Sequence, residues 1–563
     1  MRRLSVLAAV VIVTACGGGT RSNDNGKTAA APPPIAQNDI NPLSRDKIKD
    51  GGTLTWPLDE MPTNFNYNEL DGTDFSGAWV IMSMMPVTFD NAADGTPLWN
   101  HAVLASEPTL VTDPKQVVTY EINPKAVWTD GTPITWQDFY WQWKASNGTD
   151  RRYQISAANG YEDIENVARG KDDREVVVTF RKKYADWQSI FSPFYPASTN
   201  KDPEVFNKGW LGKALATAGP FRMQGINQTS KTITMVRNEK WWGTPAKLDR
   251  IVFRVIDPDA QIDALANGEI DLMDVGTDAS KMNRAKGIAG IDIRTAGGPN
   301  FWHLDFEGQS PILQDVRVRR ALAMGIDRTV MARALLGPLG MAPTVLNNHI
   351  YMENQQGYQD NSGDVGKFNP EKAKQILDDA GWKLQGDVRM KDGKPLKVRL
   401  VMAAGAATNR QVSELAQNML AQIGVTVEID SVPPTDFFPK YVIPGQFDLT
   451  MFAWMGTPYP LSSAKSIYAK PNRDAKGQLN VQQNFARIGS DELDRLFDQG
   501  TAELDPQKAR AIGNQIDAQI WQEVHSLTIY QRPQIYPCKK DLANMGALGL
   551  AQFPIYEDIG WAK

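Results

Sequence analysis

The sequence QFDLTMFAWMGTPYP, residues 446–460, decides the fold class of this chain. Between Phe447 and Met455 only Asp448 and Thr450 are polar, and the run is too short to span a bilayer. A nearly continuous apolar run of this length predicts a strand that is buried on both faces, as in a parallel sheet. The glycine and the two prolines that follow predict that the strand ends in a turn.

The end of this strand carries side chains that suit a ligand. In open α/β sheets, ligands bind outside the carboxyl ends of the strands. Trp454, Thr457 and Tyr459 lie at such an end and offer an aromatic ring, a hydroxyl and a phenol. They are candidate binding residues, and the alternative is an ordinary core strand followed by a turn.

Length and composition narrow the class of protein. A chain of 563 residues is too long for one hydrophobic core and predicts about three to four domains or subdomains. The net charge of −5 argues against a nucleic-acid partner, because there is no basic surplus to neutralise phosphates. The 16 Trp and 15 Tyr residues favour recognition of a soluble organic ligand.

The amino terminus predicts export and a lipid anchor. Arg2 and Arg3 precede a short apolar run, which is typical of a secretory signal peptide over residues 1–15. The sequence VTAC then ends at Cys16 and resembles a bacterial lipobox, in which this cysteine is lipidated and becomes the first mature residue. The alternative is an ordinary signal peptide that is cleaved elsewhere. The lipobox predicts a protein anchored to the outer face of the cytoplasmic membrane.

Residues 16–50 predict a lipidated cysteine and a flexible tether. The segment is rich in glycine, proline and polar residues and cannot bury enough apolar surface to offset its ordering entropy. If Cys16 is lipidated, Cys538 has no partner for a disulfide. No later segment is apolar over about 20 residues, so the chain is expected to be anchored and not membrane-spanning.

A second stretch, WTDGTPITWQD at residues 128–138, carries a family resemblance. Alternation over 117–122 predicts a strand before it, and Thr135 predicts the N-cap of a helix after it. The order and spacing resemble a block of the bacterial extracellular solute-binding proteins, family 5, which include the dipeptide and oligopeptide receptors of ABC importers. Further blocks resemble this family in the same order, at residues 237–251, 261–272, 315–328, 369–382 and 447–454.

Most residues of these blocks are expected to be scaffold. Asn369, Asp505 and Asp257 each precede a proline, which predicts a capped helix start at all three places. Helices that alternate with strands from residue 369 onward predict a largely parallel α/β lobe. The charged residues of the fourth block are expected to form ion pairs and caps, namely Arg317, Arg319 and Asp327.

The resemblance implies an α/β, two-lobed fold of the periplasmic-binding-protein type (large, type II, cluster C), with an extra subdomain in lobe I. It places lobe I at 51–85, 220–299 and 525–563. The extra subdomain covers 86–219, and lobe II is one continuous insertion over 300–524. In this family the two lobes close over a ligand.

The resemblance also implies where the ligand lies. Asp71, Gly72 and Thr73 match the stretch that pairs its backbone with an extended peptide. A second group lies at the expected crossover into lobe II: Asn300, Phe301 and Trp302. The third group is the strand end described above, with Trp454, Thr457 and Tyr459.

Thr457 departs from the family pattern. Oligopeptide receptors typically carry an Asp at this position, whose carboxylate pairs with the α-ammonium of the ligand. Either another acid such as Asp71 or Asp74 replaces it, or the ligand has no free α-ammonium. Peptides, modified peptides and other small organic molecules therefore remain open as ligands.

The sequence contains little that predicts catalysis. Its four histidines are scattered and its two cysteines cannot form a zinc site, so neither a metal site, a nickel ligand nor a cofactor is expected. Ser462 and Lys465 match the S-x-x-K pattern of penicillin-binding enzymes, but the partner motifs S-D-N and K-T-G are missing. No catalytic residue is assigned.

These observations predict the substrate-binding lipoprotein of an ABC importer for peptides or peptide-like molecules. The expected partners are the ligand, the permease and ATPase subunits and, through the anchor only, the membrane. The protein itself is expected to be a monomer and not an enzyme. Two alternatives remain: an envelope lipoprotein of the same fold that senses or regulates, and an exported penicillin-interacting hydrolase.

Overall fold

The computed structural model describes residues 36–405, 407–473, 477 and 479–563. The predicted signal peptide, Cys16 and most of the tether lie outside these residues. Within the described ranges, no helix combines the length and the apolar character needed to cross a membrane.

Helices and strands alternate irregularly along the chain. The helices are α1 (Phe75–Met84), α2 (Trp136–Ser146), α3 (Ala197–Asn200), α4 (Pro203–Lys208), α5 (Gln261–Ala266), α6 (Ala279–Lys286), α7 (Val316–Met324), α8 (Arg328–Leu336), α9 (Pro370–Asp379), α10 (Ala407–Ala421), α11 (Pro434–Asp436), α12 (Pro460–Tyr468), α13 (Asp491–Ala502) and α14 (Pro506–Glu523). The strands are β1 (Thr53–Leu58), β2 (Phe89–Asn91), β3 (Pro97–Trp99), β4 (Thr109–Val111), β5 (Val117–Glu121), β6 (Ile164–Arg169), β7 (Glu175–Phe180), β8 (Phe221–Asn227), β9 (Thr232–Arg237), β10 (Arg250–Val255), β11 (Ile291–Phe306), β12 (Lys383–Gln385), β13 (Val388–Lys391), β14 (Lys394–Pro395), β15 (Lys397–Ala403), β16 (Thr426–Val432), β17 (Leu449–Trp454), β18 (Asn472–Arg473), β19 (Leu479–Asn480), β20 (Ser526–Lys539), β21 (Leu542–Ala543) and β22 (Gly560–Trp561).

The apolar run at 446–460 forms β17, in the middle of a five-stranded sheet with the order β16-β15-β17-β11-β20. Its first four residues are buried, which confirms the predicted core strand. β17 pairs in parallel with β15, and β15 in parallel with β16. On the other side β11 pairs antiparallel with both β17 and β20. The prediction of a largely parallel sheet is therefore wrong on this side of β17. The five-stranded sheet is mixed, because the antiparallel strand β11, which crosses between the lobes, lies beside β17.

The two long strands β11 and β20 connect the lobes. They pair from Ile291 opposite Lys539 to Asp305 opposite Ser526, and the register shifts between Gly297 and Phe301. Only the part of β11 beyond this shift also pairs with β17. The shift lies beside residue 300, where the sequence places the crossover. The lobe boundaries themselves stay predictions.

Two large apolar clusters form the cores of the two-lobed fold. The first surrounds the sheet β1-β10-β9-β8 and the sheet β4-β5-β7-β6, and includes Trp56, Tyr120 and Trp128. The second surrounds the five-stranded sheet and includes Leu322 and Leu449. The apolar side chains of α5 and α6 pack in the second cluster. Separate cores explain why the space between the lobes is free to form a cleft.

The helix starts test the local predictions. Thr135 and Asp138 form a capping box at α2, Asn369 accepts from the N–H of Lys372 at 3.0 Å, and Asp505 caps α14. These predictions are confirmed. The prediction that Asp257 caps a helix is wrong, because α5 begins only at Gln261 and lacks a side-chain cap. The Asp257 carboxylate instead accepts from the N–H of Asp259 at 2.9 Å and closes a turn before the helix.

The charged residues of the 315–328 block have structural roles, as predicted. Arg317 forms an ion pair with Asp315 at 2.7 Å. The buried guanidinium of Arg319 donates to carbonyl oxygens, including that of Leu313 at 2.6 Å. Asp327 caps α8 by accepting from the N–H of Thr329 at 2.9 Å.

Candidate functional site

The turn after β17 is held against the crossover between the lobes. The N–H of Gly456 donates to Oδ1 of Asn300 at 3.2 Å. A Cβ at Gly456 would lie 2.2 Å from the carbonyl oxygen of Pro299, so only glycine fits without a shift. The hydroxyl of Thr457 donates to the carbonyl oxygen of Tyr459 at 3.1 Å and accepts from the backbone N–H of Tyr459 at 3.2 Å. Thr457 therefore uses its hydroxyl to shape the turn.

A cleft of about 420 Å³ opens beside this turn. Its walls come from both lobes and carry mainly aromatic and hydroxyl groups, among them Tyr67, Phe89, Tyr184, Thr457, Tyr459 and Phe553. This volume and this mixture of rings with a few polar groups are typical of a small-molecule site.

Asp90 is the one charged residue among the described residues that line this cleft. Its Oδ2 accepts from Nδ2 of Asn100 at 3.1 Å. Burial raises the pKa of Asp90 to about 6, against the opposing effect of this hydrogen bond. Burial also raises the pKa of Tyr459, with the charges of Asp186 and Asp90 adding to the shift. The Tyr459 phenol is therefore a neutral hydrogen-bond donor at neutral pH.

Hydrogen bonds and an ion pair bridge the cleft next to α12. The N–H of Ser462, in the first turn of α12, donates to Oδ2 of Asp186 at 3.3 Å. The N–H of Ala185 donates to the carbonyl oxygen of Thr501 at 2.7 Å, and Lys182 pairs with Asp498 at 3.3 Å. All three contacts join the 86–219 segment to the 300–524 segment.

The Asp186 contact completes the start of α12. The N-cap residue Tyr459 makes no side-chain cap, so the carboxylate that meets the helix N-terminus comes from across the cleft. A negative charge at this end also interacts favourably with the helix dipole. Burial raises the pKa of Asp186, and the hydrogen bonds from Ser462 oppose that shift.

A second cavity of about 450 Å³ lies where the crossover strands meet lobe I. Asn300 lines it together with Trp56, Trp79 and Arg532. Ala453 and Met455 of the β17 end form its other wall. The end of β17 therefore borders two spaces, with Thr457 and Tyr459 facing one and Met455 facing the other.

Phe301, Trp302 and Trp454 lie on the crossover sheet. Phe301 is buried and, like Trp454, borders a recess of only about 30 Å³ beside Thr457. Trp454 stacks with His303 and Phe485, at centroid distances of 5.8 and 5.5 Å. Trp302 packs against the second core. The structure thus brings Thr457 and Tyr459 together in the cleft of about 420 Å³, which is called the main cleft below. The rings of Phe301, Trp302 and Trp454 lie outside its lining.

Asp71, Gly72 and Thr73 form a tight turn. Glu69 accepts from the N–H groups of Asp71 and Gly72, at 2.8 and 3.2 Å. The Thr73 hydroxyl donates to the carbonyl oxygen of Tyr67 at 2.7 Å. Gly72 is buried, whereas Asp71 and Thr73 are exposed. Through Tyr67 this turn adjoins the cleft wall, and its role in ligand binding stays a prediction.

Sequence reasoning missed several wall residues of the cleft. Asp90, Tyr184 and Phe553 come from three distant parts of the chain and meet only because these segments pack together in the folded protein. None of them lies in a motif with a recognisable spacing. Asp90 had one weak signal, since it follows the mainly apolar stretch VTF and lies within a short strand.

The geometry gives no support to the serine–lysine hydrolase. Nζ of Lys465 pairs with Asp498 at 2.8 Å, while the Ser462 hydroxyl donates to the carbonyl oxygen of Tyr459 at 3.4 Å. An activated serine needs its base within hydrogen-bond reach. Among the residues that the structure describes, no group of three His, Cys, Asp or Glu side chains is arranged to hold a metal ion.

Comparison with known proteins places this site in a family context. Residues 101–475 match the model of the bacterial extracellular solute-binding proteins, family 5. The chain is 41% identical over 530 residues to the oligopeptide-binding protein OppA of Mycobacterium tuberculosis, covering 93% of this chain and 87% of that protein.

Solved structures show the same fold. A periplasmic EDTA-binding protein, EppA, matches with a TM-score of 0.84 and 26% identity, over 93% of this chain and 98% of that one. The oligopeptide-binding protein AppA of Bacillus subtilis, solved with a nonapeptide, matches with a TM-score of 0.73 and 19% identity, over 92% of this chain and all (100%) of that one.

Proposed function

Because the chain belongs to the bacterial extracellular solute-binding proteins, family 5, we propose that it is the substrate-binding lipoprotein of an ABC importer for peptides or peptide-like molecules. It captures its ligand between the lobes and delivers it to a membrane permease, while a separate ATPase subunit drives transport. The observation that carries this proposal is the similarity to an oligopeptide-binding protein along 93% of the chain.

The cleft supports this role by its chemistry. Rings such as Tyr184 and Phe553 supply apolar area, and Tyr459 supplies a neutral phenol. Closure removes water from such a site and strengthens each polar contact inside it. Binding, and not covalent chemistry, is what the described wall can provide.

We also propose the arrangement of the whole chain. Cys16 carries the lipid and the segment that follows it forms the tether. The tether ends before residue 39, because Asp39 and the buried Ile48 bridge to Ala547 and Ala562 of the body. The globular body works as a monomer outside the cytoplasmic membrane. Lobe II covers 300–524 and also includes α5 and α6, whose apolar side chains pack in the second core. Lobe I covers the remaining flanking segments with its subdomain at 86–219, and residues 525–563 return to lobe I. Of the candidate contacts, Thr457 and Tyr459 touch the ligand in the cleft, while Trp454 and the candidates at 71–73 and 300–302 lie around it.

Native mass spectrometry of the purified protein tests the ligand class, because a ligand that dissociates slowly survives purification. We expect a co-purifying series of masses that match short peptides. Thermal unfolding in the presence of a synthetic peptide mixture provides the second measurement, since a ligand that binds only the folded state raises the unfolding temperature. Absence of any co-purified peptide together with an unchanged unfolding temperature would refute the peptide proposal.

A further inference from the structure

The charge of the main cleft is carried by a single side chain on one wall. Among its described lining residues there is no Lys, Arg or His, and Asp90 is the one carboxylate. A ligand that contacts these lining residues meets one negative charge and no positive charge. This asymmetry favours a ligand with a positively charged group over an anionic one.

The Asp90 carboxylate is held in place by a hydrogen bond but keeps capacity to accept another. It lies on β2, which forms a hairpin with β3, and Asn100 just after β3 donates to its Oδ2 at 3.1 Å. No donor among the described residues bonds to its Oδ1. A carboxylate accepts several hydrogen bonds when all its positions are used, so Asp90 keeps capacity for another donor. Burial raises the pKa of this group to about 6, the behaviour of a carboxylate that lacks a compensating cation.

The other nearby acids are engaged elsewhere. Asp74 caps α1 by accepting from the N–H of Gly77 at 2.5 Å, and Asp186 accepts from the N–H of Ser462. Asp71 is exposed in its turn. The hydroxyl of Thr457 bonds within its own turn. Of these acids, Asp90 is the one that lines the cleft.

We infer that Asp90 binds a protonated amine of the ligand, so that the site selects peptides or peptide-like molecules with a free amino group. This inference rests on the proposed function and adds to it a specificity-determining residue. The carboxylate supplies the charge and an N–H acceptor, while the rings of Phe89 and Tyr459 beside it contact the carbon skeleton next to the amine.

The test compares two synthetic mixtures of short peptides without lysine or arginine, one with free amino termini and one with acetylated amino termini. Binding of each mixture is measured by native mass spectrometry and by thermal shift. We expect the unchanged protein to prefer the free mixture by about tenfold or more, since an unpaired buried charge is costly. This comparison needs no variant, so it does not depend on the folding of one.

Two variants locate the effect. Asp90→Asn keeps an oxygen that accepts from Asn100 but removes the charge, and it should lose the preference for free amino termini. Asp94→Asn makes the same charge change in the turn of the same hairpin, where the carboxylate accepts from the N–H of Thr96 at 2.9 Å, and it should behave as the unchanged protein.

The outcomes separate the two proposals. If the unchanged protein binds both mixtures equally, or if Asp90→Asn retains the preference, the role of Asp90 is overturned and peptide binding stands. If the unchanged protein binds neither mixture, the peptide function fails and this inference fails with it.

Discussion

Asp517 is a fully buried carboxylate of α14 that connects segments of the second lobe by hydrogen bonds. It accepts from the backbone N–H of His349 at 2.7 Å and from Nδ2 of Asn361 at 2.8 Å, and the His349 ring lies 2.7 Å away. Asp517→Ala removes the acceptor of the buried His349 N–H and one of the two acceptors of the Asn361 amide, which keeps its bond to Oδ1 of Asn514 at 2.8 Å. We expect the free energy of unfolding to fall by about 3 kcal/mol or more, measured by urea denaturation.

The matched control is Asp364→Ala. Asp364 is 88% exposed and pairs with the exposed Lys367, so the change should stay within about 0.5 kcal/mol. A loss of less than about 1 kcal/mol for Asp517→Ala would contradict the structural role assigned to this network.

The raised pKa of Asp90 predicts a pH dependence of the ligand-free protein. Its pKa is about 6 in the folded state and about 4 in an unfolded chain. The folded state therefore binds an extra proton between these values, and the stabilisation present at low pH is lost as pH rises through about 6. Relative to the unchanged protein, Asp90→Asn should become more stable as pH increases from about 4 to 7.

Thermal unfolding of both proteins across this range checks the expectation. Glu557 lies close enough to contribute, since burial first and the charge of Asp90 second raise its pKa to about 7. The difference between the two proteins removes the part that Glu557 contributes independently. A difference that does not change with pH, or that changes in the opposite direction, argues against a buried Asp90 charge.

Single site residues could be predicted only where they follow a recognisable element. Thr457 and Tyr459 were located because they end an apolar strand, and the structure places both in the main cleft. Asp90 and Tyr184 could not be located, because their neighbourhood depends on which distant segments of the chain pack together. The spacing of residues along the chain contains no information on that packing.

At the level of elements, the turn after β17 closely approaches the crossover at Pro299. Gly456→Ala places a methyl group 2.2 Å from the carbonyl oxygen of Pro299, so the strand end or the crossover must move. We expect the free energy of unfolding to fall by about 1–3 kcal/mol, as for other overpacked sites, with a parallel loss of peptide affinity. Urea denaturation and calorimetric titration measure these two effects.

Gly225→Ala is the control for this change. A Cβ at Gly225 meets no atom within 4 Å, and the residue lies in β8 of the first lobe, away from the cleft. Its stability should change by no more than about 0.5 kcal/mol. Equal behaviour of the two variants would show that the close approach at Gly456 is unimportant.

The start of α12 gives a prediction about closure. Asp186→Ala removes the carboxylate that reaches Ser462 across the cleft, and loss of a cap costs about 1 kcal/mol. Since the contact exists only when the lobes meet, the closed form should lose stability and ligand affinity should fall roughly fivefold. Small-angle scattering should then show a larger open fraction.

Asp173→Ala serves as the comparison for Asp186→Ala. Asp173 forms an exposed ion pair with Arg169 inside the subdomain and makes no contact across the cleft in the described structure. The two variants have the same change in charge. Identical affinity and scattering for both would mean that Asp186 does not couple α12 to closure.

Helix starts were predictable because their signals are local. A cap residue followed by proline identified α9 and α14 correctly, and failed at Asp257 because the same signal also begins a turn. The sheet around β17 was less predictable. Its apolar run shows that it is buried, but not that an antiparallel strand from the other lobe lies beside it.

For the whole molecule, the anchor is the prediction that depends on sequence alone. Cys16→Ser should move the protein from the membrane fraction to the soluble exported fraction and abolish incorporation of a labelled fatty acid. Cys538→Ala changes the other of the two cysteines, which is buried in the first core, and should leave the protein in the membrane fraction. Membrane association that persists in Cys16→Ser contradicts the lipidation proposal.

The pairing of distant segments also sets the order in which the chain can fold. Asp39 bridges to Ala547, Ile48 bridges to Ala562, and β11 pairs along its length with β20. Ribosomes deliver the amino-terminal segments first, so the first lobe cannot close until the final residues have emerged. Contacts of such long range form slowly. During synthesis the first lobe therefore stays incompletely folded, the condition in which a secretion channel can thread it across a membrane.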